Sequence, residues 1–230
     1  MTPRLAILLV IATLPASAHD LWLERDSAGY ALYQGHRHSA HAGAEVVSYE
    51  AAAVRSASCL DAGGSVRPLA TGNAHPVKLA GDCAALLVSF STGYWTKTAW
   101  ETRNVPRTGV AGVMKSWLSE DAVKRIDRWT PAVAQPLSAG LEITPTGDPF
   151  KLAIDDKLTV LVTENRKPKS GVPVAYQGDT RGVTGDDGRI SIRIRQGGMQ
   201  LIAASIEAPL SDGKADTVIR ATALQFELRK

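Results

Sequence analysis

Apolar and polar residues alternate with a period of two along much of this chain, the pattern of strands that bury one face. Between Asp20 and Tyr49, Leu21 and Leu23 and later Tyr30 and Leu32 stand between polar neighbours. Ser27-Ala28-Gly29 interrupts them with residues suited to a hairpin turn, and Val46 to Tyr49 reads as a third strand. Gly63-Gly64 and Thr71-Gly72-Asn73 punctuate the next region, and Ala84 to Ser89 is a short buried-strand candidate. One stretch departs from the period. From Ser119 to Trp129, Val123, Ile126 and Trp129 recur at helical spacing behind an N-cap residue, Ser119, with Glu120 and Asp121 placed to favour the helix dipole. This predicts a single short helix.

Pro131, Pro136 and Thr144-Pro145-Thr146-Gly147-Asp148-Pro149 then form a proline-rich passage, and a domain boundary is expected near 140–148. Beyond it Leu158 to Val162, Val172 to Tyr176, Ile190 to Ile194, Gln200 to Ser205 and Ala221 to Leu228 are short strands between Gly, Asp and Pro turns, the spacing of a β-sandwich. Thr184-Gly185-Asp186-Asp187-Gly188-Arg189 reads as a hairpin turn, with no calcium-loop spacing of oxygen ligands. The expected fold class is mainly β: an N-terminal β-rich domain with one short helix over residues 19–145, and a C-terminal β-sandwich over 146–230.

The amino end changes the picture. A positive stretch ending at Arg4, an apolar run from Leu5 to Leu14, then Pro15 and Ala16-Ser17-Ala18 have the layout of a secretory signal peptide over residues 1–18. The apolar run is about ten residues, against roughly twenty needed to span a bilayer. Cleavage after Ala18 leaves His19 first, and no membrane span is expected in the mature chain. The expected location is the bacterial periplasm. An oxidising compartment closes a lone cysteine pair, so Cys59 and Cys83 are expected to form a disulfide, worth roughly 3 kcal/mol by chain entropy. The net charge of +3 is spread along the chain without the clustered Lys/Arg and stacking aromatics of a nucleic-acid site.

The candidate chemistry is carried by histidine. All five histidines lie between positions 19 and 75. His36, His38 and His41 sit in the tract Gly35-His36-Arg37-His38-Ser39-Ala40-His41-Ala42-Gly43, and in an extended segment His36 and His38 project to one face. Imidazole suits nickel, copper, cobalt and zinc. A histidine at mature position one also offers its α-amine and Nδ1 as a chelate, in the T-shaped arrangement copper favours. A cut two residues earlier gives Ser17-Ala18-His19, which chelates nickel or copper in a square plane. The expected metal ligands are His19, His36, His38 and His41. Glu24 and Asp82 are weaker candidates as carboxylate or second acceptor. His75 reads as a surface residue, and Tyr94, Trp95 and Trp100 either wall a pocket or, for at least two of them, pack in the core. No Gly-x-Ser-x-Gly elbow, His-Glu-x-x-His helix or phosphate-cradling loop occurs, so no enzyme activity is expected.

Several strings taken together resemble a known family: HDLWLE at the mature start, LYQGH, STGYWTKT, MKSWLSEDAVKRIDRW, and LEITPTGDPFKL followed by GVPVAYQGDTRGVTGDDGRISIRI. They resemble the DUF4198 proteins, and more closely the NikK-type periplasmic additional component of bacterial nickel and cobalt uptake systems. The resemblance implies an accessory protein that binds nickel or cobalt beside an inner-membrane transporter of the energy-coupling-factor type. It also implies an immunoglobulin-like or prealbumin-like carboxyl domain. His19-Asp20 and Gly35-His36 match the family's recurrent His-Asp and Gly-His; the metal role of His38 and His41 comes from spacing. The cofactor expected is a divalent transition metal, nickel or cobalt before copper. The rival expectations are a copper-binding periplasmic protein using the same terminal histidine, and an exported β-sandwich interaction module whose histidines are incidental.

Overall fold

The structure is a computed structural model that describes residues 20–37 and 46–228. Among them run the strands β1 (Asp20–Asp26), β2 (Gly29–Gly35), β3 (Val54–Leu60), β4 (Val66–Pro68), β5 (Lys78–Ala80), β6 (Ala85–Lys97), β7 (Thr102–Arg103) and β8 (Lys115–Ile126). They continue with β9 (Glu142–Pro145), β10 (Lys157–Glu164), β11 (Lys167–Pro168), β12 (Pro173–Tyr176), β13 (Asp179–Val183), β14 (Arg189–Arg193), β15 (Gly198–Pro209) and β16 (Thr217–Leu228). The chain is mainly β, as the alternation predicts, and no described helix reaches seven residues. None is long and apolar enough to cross a membrane.

A nine-stranded sheet, ordered β13-β12-β15-β16-β8-β6-β3-β4 with β7 on β6, forms the centre. Its β16–β8 pair is parallel. Successive residues of one strand enter different cores, which shows that both faces are covered. Val123, Leu201 and Ala223 pack with Leu21, Leu23, Tyr30 and Leu32 of the three-stranded sheet β1-β2-β5. Ile126, Ile202, Leu224 and Phe226 pack with Ile143, Leu158, Val160 and Ile192 of the sheet formed by β9, β10, β11 and β14. The result is three layers, two sandwiches sharing one sheet. That sheet runs through both sides of the expected 140–148 boundary.

The helix expected from Ser119 to Trp129 is instead most of strand β8. Its residues alternate between two covered faces, so polar side chains are buried on each and the period of two disappears from the hydropathy. Lys124 faces the four-stranded sheet and Arg125 the three-stranded one, each held by a carboxylate. Ser119 caps nothing; its hydroxyl donates to Asp121 Oδ2 at 2.8 Å.

Two other expectations shift in the same way. Val46 makes a single bridge to Gly35, and Val46 to Tyr49 is not a strand. The tight turn at Gly185–Arg189 forms, with Gly185 N–H donating to Arg189 O at 2.9 Å. The strands on either side enter different sheets, however, because β13 pairs with β12 and β14 with β10. Gly188 is required there: at φ +73°, a Cβ would lie 2.9 Å from Val162 O.

Candidate metal centre

The site is built on the β1/β2 hairpin. Asp26 Oδ1 accepts from the N–H groups of Ala28 and Gly29 at 2.8 and 3.1 Å, closing the expected turn. Gly29 has φ +140°, and a Cβ there would stand 2.3 Å from Leu79 O on the neighbouring β5. On the outer face Trp22 stacks on Tyr33 with ring centroids 5.7 Å apart, and the Arg37 guanidinium lies 5.3 Å over the Trp22 ring. Glu24 pairs with Arg37 at 3.1 Å and accepts from Trp22 Nε1. It is engaged with an arginine, as is Asp82, which binds Arg25 at 2.7 Å and Arg128 at 2.9 Å.

Side chains of the central sheet fix how the hairpin sits. Gln225 accepts from Leu23 N–H at 2.9 Å and donates to Leu23 O at 2.7 Å, and Arg125 also donates to Leu23 O, at 2.9 Å. Two residues on, Arg25 approaches Asp127 at 3.4 Å, and Tyr30 donates its hydroxyl hydrogen to the same carboxylate at 2.8 Å. Burial and this acceptor push the Tyr30 phenol up to about 12. Strand β1 thus runs over the β8/β16 seam in the same sense as both.

At the opposite end of the hairpin the register brings Asp20, Gly35 and Val46 side by side. Asp20 pairs with Gly35 across the hairpin, and Gly35 is bridged on its other side by Val46. Val47 N–H donates to Gln34 O at 2.7 Å. The chain therefore enters β1 at Asp20 beside Gly35, where it leaves β2, and Val46 stands on the other side of the same residue. His36 is half-buried at that point. His19, His38 and His41 lie outside the described residues. Among the described residues, no three or more His, Cys, Asp or Glu side chains gather as a metal site.

No protein-family model, curated protein or solved structure matches the chain.

The remaining candidates resolve plainly. Cys59 and Cys83 form the expected disulfide, with Cα atoms 5.4 Å apart, tying β3 to the start of β6 beneath the hairpin. His75 is half-buried, its ring edge-on to Tyr49 at 4.6 Å and its Nδ1 without a hydrogen-bond partner among the described residues. Tyr94, Trp95 and Trp100 are not core residues. Trp100 is 92 % exposed, the Tyr94 hydroxyl reaches Asp212 at 2.6 Å, and Trp95 stacks on Trp117 at 6.4 Å on the outer part of β6 and β8.

Sequence reasoning gave Asp121 to a helix dipole. In the strand it lies on the face that carries Val123, paired in register with Phe90 and Ala221. Burial pushes its carboxyl up to about 6, against the lowering effect of the Ser119 hydrogen bond. No composition or spacing marks this residue, because its burial comes from strands distant in sequence.

Proposed function

We propose that this chain is a periplasmic accessory protein that binds nickel or cobalt for an uptake system, holding the ion with His19, His36, His38 and His41. The observation that carries the reading is the position of Gly35, hydrogen-bonded between Asp20 and Val46. It joins in space three points of the sequence: the residue after His19, the residue before His36, and the far end of the tract that holds His38 and His41. Imidazole nitrogens with a terminal amine suit a late first-row divalent ion, and no covalent chemistry is asked of the protein. The ion is handed on to, or buffered for, an inner-membrane transporter of the energy-coupling-factor type.

The test is calorimetric titration of nickel and cobalt into protein purified from periplasm, with its amino terminus established by mass spectrometry. His36→Ala/His38→Ala is expected to lower affinity at least tenfold. Imidazole binds metal only when neutral and has an ordinary pKa of about 6.5, so affinity is expected to fall between pH 8 and pH 5. Unchanged binding in the double variant, or pH-independent binding, overturns the reading. A copper role replaces it if copper alone is retained from the periplasm and nickel does not displace it.

A further inference from the structure

One end of the central sheet carries an apolar, basic tip. Strands β6 and β8 stay paired out to Lys97 and Lys115, and β7 folds back on β6 through Thr102 and Arg103. Thr98 builds the turn at residues 98–101. Its N–H donates to Glu101 O at 2.9 Å, and its hydroxyl accepts from the N–H groups of Trp100 and Glu101 at 3.3 and 3.2 Å. Trp100, held on this braced turn, is 92 % exposed. Met114, 68 % exposed, joins the same edge by donating its N–H to Lys97 O at 2.8 Å. Two large apolar side chains are thus fixed in water at the end of the sheet.

Behind the tip, aromatic residues continue on both faces of the sheet. Trp95 and Trp117 are register partners whose rings stand 6.4 Å apart and nearly parallel. Tyr94, next in sequence to Trp95, projects to the other face. Three of the five tryptophans of the chain therefore lie at this end. Cations accompany them: Lys115 lies 5.9 Å over the Trp117 ring, and Lys214 5.7 Å over that of Tyr94. Between residues 97 and 115 the basic side chains Lys97, Arg103, Arg107 and Lys115 stand against one acid, Glu101. Arg107 is paired with Asp216, and Lys115 with Glu207, at the root of the tip. Lys97 and Arg103 are exposed at the base of the Trp100 turn, and Arg103 meets Glu101 in an exposed pair at 3.6 Å, which neutralises it weakly.

We infer that this tip docks peripherally on an anionic lipid bilayer, Trp100 and Met114 entering the headgroup boundary while Lys97 and Arg103 meet lipid phosphates. Tryptophan favours that boundary because its ring is apolar and its N–H polar, and basic residues beside it are drawn to anionic lipid. A short apolar insertion and a few charges each hold a protein weakly, and stable attachment takes both. A protein partner suits the tip less well, because a stable interface covers about 800 Å² of each partner and a hairpin turn offers only a narrow point. None of these residues is among the proposed metal ligands, so docking and metal binding are tested separately.

The experiment mixes the full mature chain with vesicles of phosphatidylcholine, alone or with about one third phosphatidylglycerol to supply the anionic surface. Binding is read by co-sedimentation and by tryptophan emission. Wild type is expected to sediment with the anionic vesicles, to shift its emission to shorter wavelength, and to be released by high salt. Trp100→Ala is expected to bind about tenfold more weakly and to lose the emission shift. Lys97→Ala/Arg103→Ala is expected to weaken binding to anionic vesicles by about tenfold or more. All three side chains are exposed, so the variants should melt at the wild-type temperature. Equal binding to neutral and anionic vesicles, unchanged binding in either variant, or no binding by wild type overturns the lipid assignment. A lipid-free dimer that Trp100→Ala dissociates also overturns it, and assigns the tip to a second copy of the chain.

Discussion

Asp121 shows how a single side chain can work against the fold that holds it. Its carboxyl titrates near 6 in the folded chain and at the ordinary 3.8 when exposed. The folded state therefore holds the proton more tightly, and the protein loses stability as pH rises from about 4 to about 6, on the order of 2–3 kcal/mol. Urea titrations at pH 4 and pH 7 should show this loss in wild type, and Asp121→Asn should abolish it. Gln225 has the opposite character. Its amide satisfies both backbone groups of Leu23 in a fully buried position. Gln225→Leu leaves the Leu23 N–H without a partner and is expected to cost about 1–3 kcal/mol, measured as a lower urea midpoint. Neither role is legible in the sequence, where Gln225 reads as a polar residue inside an apolar run. The partner lies 202 positions away.

Among the elements, the β1/β2 hairpin was the most legible, because its two strands and the turn that joins them are adjacent in sequence. Alternation, an Asp that closes the turn and an obligatory Gly29 all lie within a dozen residues. Strand β8 was the least legible because it is sandwiched on both faces, and its buried Lys124 is paired with Glu142 of another layer. Val123, Ile126 and Trp129 then fall at helical spacing without a helix. The cysteine pair was readable because the inferred compartment leaves few alternatives, and the bridge braces the strands under the hairpin. Cys59→Ala/Cys83→Ala is expected to lower stability by roughly 3 kcal/mol. Guanidinium midpoints of the variant and of the reduced wild type should agree, and both should lie below that of the oxidised protein.

At the scale of the molecule, the central sheet binds the two halves of the chain together. Strand β16 gains its parallel partner β8 from the other side of the proline-rich passage. A fragment comprising residues 146–230 is therefore expected to show no cooperative unfolding transition, which circular dichroism in urea would reveal. Between layers, Lys124 and Glu142 form a fully buried ion pair at 2.9 Å. Lys124 also donates to Val133 O and Gln135 O, while Glu142 accepts from Leu137 N–H, Ser138 N–H and the Ser138 hydroxyl. Removing one partner strands the other charge. Lys124→Met and Glu142→Gln are each expected to cost about 3–5 kcal/mol, and the double variant less than their sum, as a double-mutant cycle in denaturant would show.

The sequence by itself determined the strand-rich class, the first hairpin, the disulfide and the confinement of histidine to the amino-terminal third. These depend on local periodicity, on turn chemistry and on counting, all of which act over short spans. Only the tertiary structure decided that β8 is a strand, that one sheet serves two sandwiches, and that Gly35 stands between Asp20 and Val46. Those features depend on pairings across up to two hundred residues, and burial on both faces of a strand removes the alternation by which sequence would have announced them.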